Sequence, residues 1–226
     1  MGPIRAYGRL MDTEDRILPM LPQTPVARAA VELVRSSESE PVANHSIRSY
    51  VFATLLAEHE GLAAGTDFDA ELLFHSCVLH DLGASPSAPG RARFEVEGAD
   101  MAARFLTEHG YGADRTDPVW EAIALHTSDG IAERRGVLAY LTRRGIGMDF
   151  GFGTEFLTDA QGEALHGRYP RLDMTTVLVD DIVRQAARSP QAGARYTLPG
   201  EFLRERGEPG AVTALELAAR ASRWGS

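Results

Sequence analysis

Apolar residues in this chain recur at intervals of three and four, and we find no strand ladder, internal repeat or low-complexity tract. In VARAAVELVRSS, Val26, Ala29, Ala30, Leu33 and Val34 fall on one helical face. NHSIRSYVFATLLAEHEG places Ile47, Val51, Phe52 and Leu55 the same way, with Asn44 read as the N-cap and Gly61 as the exit. A third helix, capped by Asp67 or Asp69, carries FHSCVLHDLG and leaves at Gly83. ASPSAPGRAR then reads as a loop. Further helices follow in FEVEGADMAARFLTEHG, in DPVWEAIALHTSDG with Asp117 as cap and Pro118 in the first helical position, and in RRGVLAYLTRRG. The glycine-rich GIGMDFGFG comes next, then the amphipathic TTVLVDDIVRQAAR, and the C-terminal third is punctuated by Gly and Pro. The pattern predicts an all-α fold, a helical bundle with long connections, spanning residues 1–226 as one domain with a C-terminal helix-and-loop extension over 154–226.

Composition narrows the function. With 44% hydrophobic and 24% charged residues, and no run near the roughly 18 apolar residues of a membrane span, a membrane protein is not expected. The N-terminal MGPIRAYGRLMDTED has acidic residues and no apolar stretch of signal type, so a cytoplasmic location is expected. One cysteine, Cys77, rules out an internal disulfide and a cysteine-rich zinc site. All 23 basic residues are arginine, which removes Schiff-base and P-loop lysine chemistry. A net charge of -9 disfavours nucleic acid and leaves a small molecule as the expected partner. A homo-oligomer is compatible with a helical enzyme of this size.

The histidines divide into two groups. His59 and His109 sit in last helical turns, where the helix dipole favours an imidazole. His166 reads as a surface residue and His75 as a buried core histidine. His80 instead follows Cys77 by three and Leu73 by seven, so its ring points into the core and needs a partner. Asp81, beside it, is a carboxylate at an apolar helix end, where a divalent cation supplies the strongest local charge. Adjacent helical side chains diverge by about 100° and converge on one ion only where the helix is ending. His126, late in the apolar EAIALHTSDG, reads either as hydrogen-bonded to a backbone carbonyl or as an acid/base group. Glu97 is a candidate base or an anchor for a substrate amino group, with Glu95 behind it. Arg48, one turn from His45, either forms a salt bridge or contacts substrate or a ligand carboxylate. Thr127 offers a hydroxyl near His126, to substrate or to a helix cap.

Taken in order, NHSIRSYVFATLL, LLFHSCVLHDLG, RFEVEGADMAARFL, VWEAIALHTSDGIA and GIGMDFGFG resemble the HD-domain superfamily of metal-dependent hydrolases, and within it HD proteins of the cyanamide hydratase type. The resemblance covers about residues 40–153, with a weaker echo at YPRLDM. It implies His45, His80, Asp81 and Asp149 as ligands, in preference to Asp180 and Asp181, which read as solvated. It implies one divalent metal per chain, zinc first, with iron and manganese suited by the same donors. It also implies a hydratase adding metal-activated water to a nitrile carbon to give urea or an amide, with His126 or Glu97 moving the proton. The alternative is an HD phosphohydrolase acting on a nucleotide or another phosphate ester, with Arg48, Arg91 and Arg93 holding phosphate. A non-catalytic helical binding module is a third reading.

Overall fold

The computed structural model describes residues 17–208 and 211–225, so the N-terminal segment used above for location lies outside the described residues. These form helices α1 (Pro25–Ser37), α2 (Glu40–His59), α3 (Ala70–Val78), α4 (Phe94–Glu108), α5 (Ala113–Ala124), α6 (Val137–Asp149), α7 (Asp159–Arg168), α8 (Met174–Ala186), α9 (Leu198–Glu205) and α10 (Ala214–Ala221). Single 3-10 turns lie at Leu82–Ala84 and Ala132–Arg134, and an isolated bridge joins Ala64 to Phe68. No strand occurs among the described residues, so the fold is all-α. Nor is any helix among them long and apolar enough to cross a membrane.

The axis of the bundle is α2, with 15 of its 20 residues buried, so polar side chains on it need partners inside the protein. Its closest neighbour is α6, and glycine explains the approach. A Cβ on Gly145 would sit 2.4 Å from the Ser49 carbonyl oxygen and 2.6 Å from the Ala53 Cβ. The first glycine of GIGMD, Gly145, therefore serves helix contact, and α6 continues through the stretch to Asp149. This close contact carries Asp149 to the level of His45 and Arg48 on α2.

Two buried clusters flank this axis. One surrounds Ile47, Phe52, Phe74, Leu79 and Leu141. The other gathers Phe94, Ile146, Phe150, Leu178, Ile182 and Phe202, bringing α8 and α9 against the ends of α4 and α6. The site lies between them.

Some helix limits differ from the sequence expectation for local reasons. Ser39 is the N-cap of α2 with a proline in its first turn; Asn44 lies inside the helix, where its Nδ2 donates to the Pro170 carbonyl at 3.0 Å. Gly112 caps α5, which admits Pro118 in its interior. The cap of α3 is Asp69, whose Oδ1 accepts from the Glu71 and Leu72 amides at 2.8 and 3.1 Å. In the C-terminal region, α7 and α10 begin with capping boxes at Thr158/Gln161 and Thr213/Glu216.

His75 is a core histidine with Nε2 3.4 Å from the Tyr111 hydroxyl and no partner for Nδ1. Burial, opposed by the Glu71 carboxylate, lowers its pKa to about 4. The unfolded chain takes up this proton near pH 6.5 and the folded chain near 4, so stability falls as the pH drops between them. At 1.36 kcal/mol per unit, the loss by pH 4 is expected to be about 3 kcal/mol. Urea unfolding at pH 7 and pH 4 should show it, and His75→Phe should flatten that part of the profile.

Candidate metal centre

The turn after α3 sets the site. Helical bonding stops at Val78, and His80 and Asp81 occupy the two residues before the Leu82–Ala84 turn, free of the 100° divergence. Glycine makes the turn fit, because a Cβ on Gly83 would lie 1.9 Å from the Phe94 carbonyl oxygen at the start of α4. His80 Nε2 lies 3.0 Å from Asp81 Oδ2, and His45 Nε2 lies 3.7 Å from the same oxygen. All three residues are almost wholly buried. His45 Nε2 and Asp81 Oδ2 have no hydrogen-bond partner. Orphaned buried acceptors facing one another are costly, and a cation between them removes that cost. Ligand atoms of His45, His80 and Asp81 all lie within 4.8 Å of one another, and among the described residues this is the group with such geometry.

The other ring nitrogens are all held. His80 Nδ1 donates to the Cys77 carbonyl at 2.7 Å, and His126 Nδ1 to the Ile123 carbonyl at 2.6 Å. His45 Nδ1 donates to Asp149 Oδ2 at 2.7 Å. Each bond fixes a tautomer and leaves Nε2 as a lone pair, the support that metal-binding histidines usually receive. Burial lowers the pKa of His45, and burial followed by the charge of His80 lowers that of His126 to about 3, so both rings are neutral at pH 7.

Asp149 stands differently from the fourth ligand expected above. It sits behind His45, on Nδ1, while Asp81 faces Nε2 on the other side of the ring. Its oxygens are also occupied by arginine. Arg48 Nε donates to Oδ1 at 2.8 Å and Arg48 Nη2 to Oδ2 at 2.6 Å, a two-point fork, and Arg171 Nη1 donates to Oδ1 at 2.9 Å. Burial alone would raise the Asp149 pKa; the Arg48 charge, with hydrogen bonds from His45 and Arg48, holds it well below the usual carboxylate range. In this arrangement Asp149 buttresses the His45 ring from behind. Arg48 is correspondingly unavailable to substrate, since its remaining nitrogen donates to the Tyr169 and Pro170 carbonyls at 2.9 and 3.1 Å.

Glu97 also departs from expectation. Its Oε1 accepts the Arg91 and Ala92 amides at 2.6 and 3.1 Å, and its Oε2 accepts the Gly90 amide and Gln185 Nε2 at 2.8 and 3.0 Å. It ties down the loop before α4 and is absent from the cavity wall. Glu95, two residues earlier, does not line the cavity either but bonds Thr127, which does. Its Oε1 accepts the Thr127 hydroxyl at 2.6 Å, its Oε2 is buried without a hydrogen bond at 3.8 Å from Arg93 Nε, and burial raises its pKa, with the nearby Asp81 charge adding to the rise.

A cavity of about 460 Å³ opens onto His45, His80, Asp81, His126 and Thr127. The His126 and His80 rings meet edge to face with centroids 4.9 Å apart. His126 begins just past the end of α5, which lets its ring turn toward the pair. Asp180, half-exposed, pairs with Arg206 at 2.8 Å, and Asp181 pairs with Arg184.

Sequence reasoning passed over two further supports. Arg171, in the weak YPRLDM echo, also donates to the Asp149 main-chain carbonyl at 2.7 Å. It precedes two left-handed residues, Leu172 and Asp173, at φ 53° and 57°. His166 is only 20% exposed in its side chain, with Nε2 3.9 Å from Asp149 Oδ1. Its ring packs against Phe52 and Trp224, so it is no free surface histidine. Its spacing carried no signal, because α7 reaches the site only through the tertiary fold.

A helical bundle in which an upstream histidine meets an adjacent His-Asp pair at a helix end, each histidine anchored through its far nitrogen, defines a metal-competent domain of hydrolase type. The HD-domain profile matches residues 42–172, more than half of the chain, and the chain belongs to the HD-domain family. It is similar to two cyanamide hydratases of Saccharomyces cerevisiae, DDI2 and DDI3, each 24% identical over 176 residues, covering 75% of this chain and 76% of theirs.

Proposed function

We propose that this protein is a metal-dependent hydratase that adds water to a nitrile-type carbon, with His45, His80 and Asp81 as metal ligands. The observation that carries the reading is the set of orphaned Nε2 and Oδ2 atoms converging at the floor of a cavity. Three protein ligands suit a catalytic site, which keeps a coordination position open, better than a closed structural one. Two imidazoles and a carboxylate fit zinc, the metal we put first, and also iron. A divalent cation, when bound, supplies a Lewis acid that brings the pKa of water down to about 7.

The chain's own groups do the remainder. His45 and His80 hold their lone pairs toward the cavity because Asp149 and the Cys77 carbonyl hold the opposite nitrogens. His126 keeps Nε2 free to take a proton from water and release it to the developing nitrogen anion. Thr127, with its hydroxyl proton given to Glu95, offers oxygen lone pairs to a substrate N–H.

The phosphate-ester alternative finds less support. Arg48 is spent on Asp149, and Arg91 and Arg93 are not among the cavity-lining residues. Of the arginines that do line it, Arg143 is engaged by Asp129 and Glu133, each at 2.6 Å, which leaves Arg144 where a phosphate would call for several donors.

Elemental analysis of the purified full chain, paired with assays for urea from cyanamide and phosphate from a nucleotide panel, tests the proposal. Stoichiometric zinc or iron with urea formation is expected, both abolished in His80→Ala. Phosphate release without hydration would move the protein to the alternative, and a metal-free protein that refuses reloading would overturn both.

A further inference from the structure

The cavity is much larger than a cyanamide-sized substrate needs. Its volume of about 460 Å³ lies within the roughly 300–1,000 Å³ that sites for organic ligands of drug size occupy. Cyanamide, with three non-hydrogen atoms, would fill one corner.

The wall away from the metal centre is hydrocarbon. Leu178 and Ile182 of α8, Leu198 and Phe202 of α9, and Leu215 of α10 supply much of it. All five lie beyond residue 172, where the HD match ends. The HD region supplies the polar lining groups together with Phe94, Ile146, Phe150 and Phe152, and the segment after it supplies the other five apolar side chains. Leu178, Ile182 and Phe202 belong to the second buried cluster, with Leu198 and Leu215 packed against it, so this wall is formed in advance. Arg143 is held by Asp129 and Glu133, and Arg144 also lines the cavity, with its Nε buried and without a hydrogen-bond partner; apart from these and the groups around the metal centre, the lining side chains are hydrocarbon. Water left beside a small polar substrate would face hydrocarbon, and an apolar substituent displaces it favourably.

Resting on the hydration reading above, we infer that the substrate is a nitrile whose carbon bears an apolar group at least as large as a phenyl ring, seated against α8, α9 and α10. In the reaction, the water oxygen bonds to the nitrile carbon and the carbon–nitrogen π bonds are lost. Both water protons finish on nitrogen and the product is the amide. Nothing is oxidised or reduced.

The test compares benzonitrile, phenylacetonitrile and cyanamide as substrates of the zinc-loaded full chain, and benzamide and urea as ligands by calorimetry. We expect kcat/KM for the ring-bearing nitriles to exceed that for cyanamide at least tenfold, and benzamide to bind at least tenfold more tightly than urea. Leu198→Trp and Leu215→Trp, at partly buried positions on the wall, are each expected to reduce both ratios at least tenfold. Cyanamide hydration with inert ring-bearing nitriles and no preference for benzamide would overturn this inference and leave the hydration reading standing. A metal-loaded protein inert toward every nitrile, cyanamide included, would overturn both.

Discussion

Asp149→Ala is expected to cost the fold about 3–5 kcal/mol, the usual penalty for stranding a buried charge, and to weaken metal binding by about 10–100-fold. Two guanidinium groups, Arg48 and Arg171, converge on this carboxylate inside the protein, so its removal leaves two buried cations without a counter-charge. The same change takes the acceptor from His45 Nδ1, and the ring is no longer held in the tautomer that points its lone pair at Asp81. Urea unfolding measures the first effect and competition with a chelator the second. An unchanged unfolding midpoint would mean that Arg48 and Arg171 reach water. Because the native pKa of Asp149 is depressed, its contribution is present above the ordinary aspartate value of about 3.9 and is lost only as the pH falls toward the lower native one.

His126→Ala is expected to lower kcat for hydration by about 10²–10⁴, the range for a positioned proton-transfer group, while the metal stays bound. The separation follows from the geometry: His126 lines the cavity beside His80 but lies outside the group of converging ligand atoms. Metal content and turnover measured on the same preparation distinguish the roles. Loss of metal along with activity would make His126 a ligand, and undiminished turnover would leave the proton path to Thr127 and Glu95.

The readable part of the site was the part whose physics is local. An imidazole and a carboxylate side by side at the end of an apolar run raise the question of a cation from neighbours alone, and the structure leaves Asp81 Oδ2 and His45 Nε2 orphaned there. Residues whose role depends on what lies opposite them were harder. Glu95 and Glu97 differ by two positions on one helix, and only the placement of Thr127 and of loop amides 90–92 assigns one to the cavity side and the other to the loop. Arg48 was rightly placed one turn from His45, but its partner is a carboxylate 101 residues away. Gly145 in GIGMD looks like a break in sequence and is a helix contact in space.

By itself, the sequence determined that the chain is helical and that it lacks lysine and disulfide chemistry, and the adjacent His80 and Asp81 at the end of an apolar run raised the question of a cation. Periodicity, composition and side-chain chemistry are properties of short segments, and they survive without knowledge of the fold. Tertiary structure alone decided that Asp149 backs the His45 ring at Nδ1, and that α8, α9 and α10 bring apolar side chains to the cavity. Both depend on which face of a buried ring meets which distant side chain, and that is set by the packing of α2 against α6 through Gly145 and by the second buried cluster.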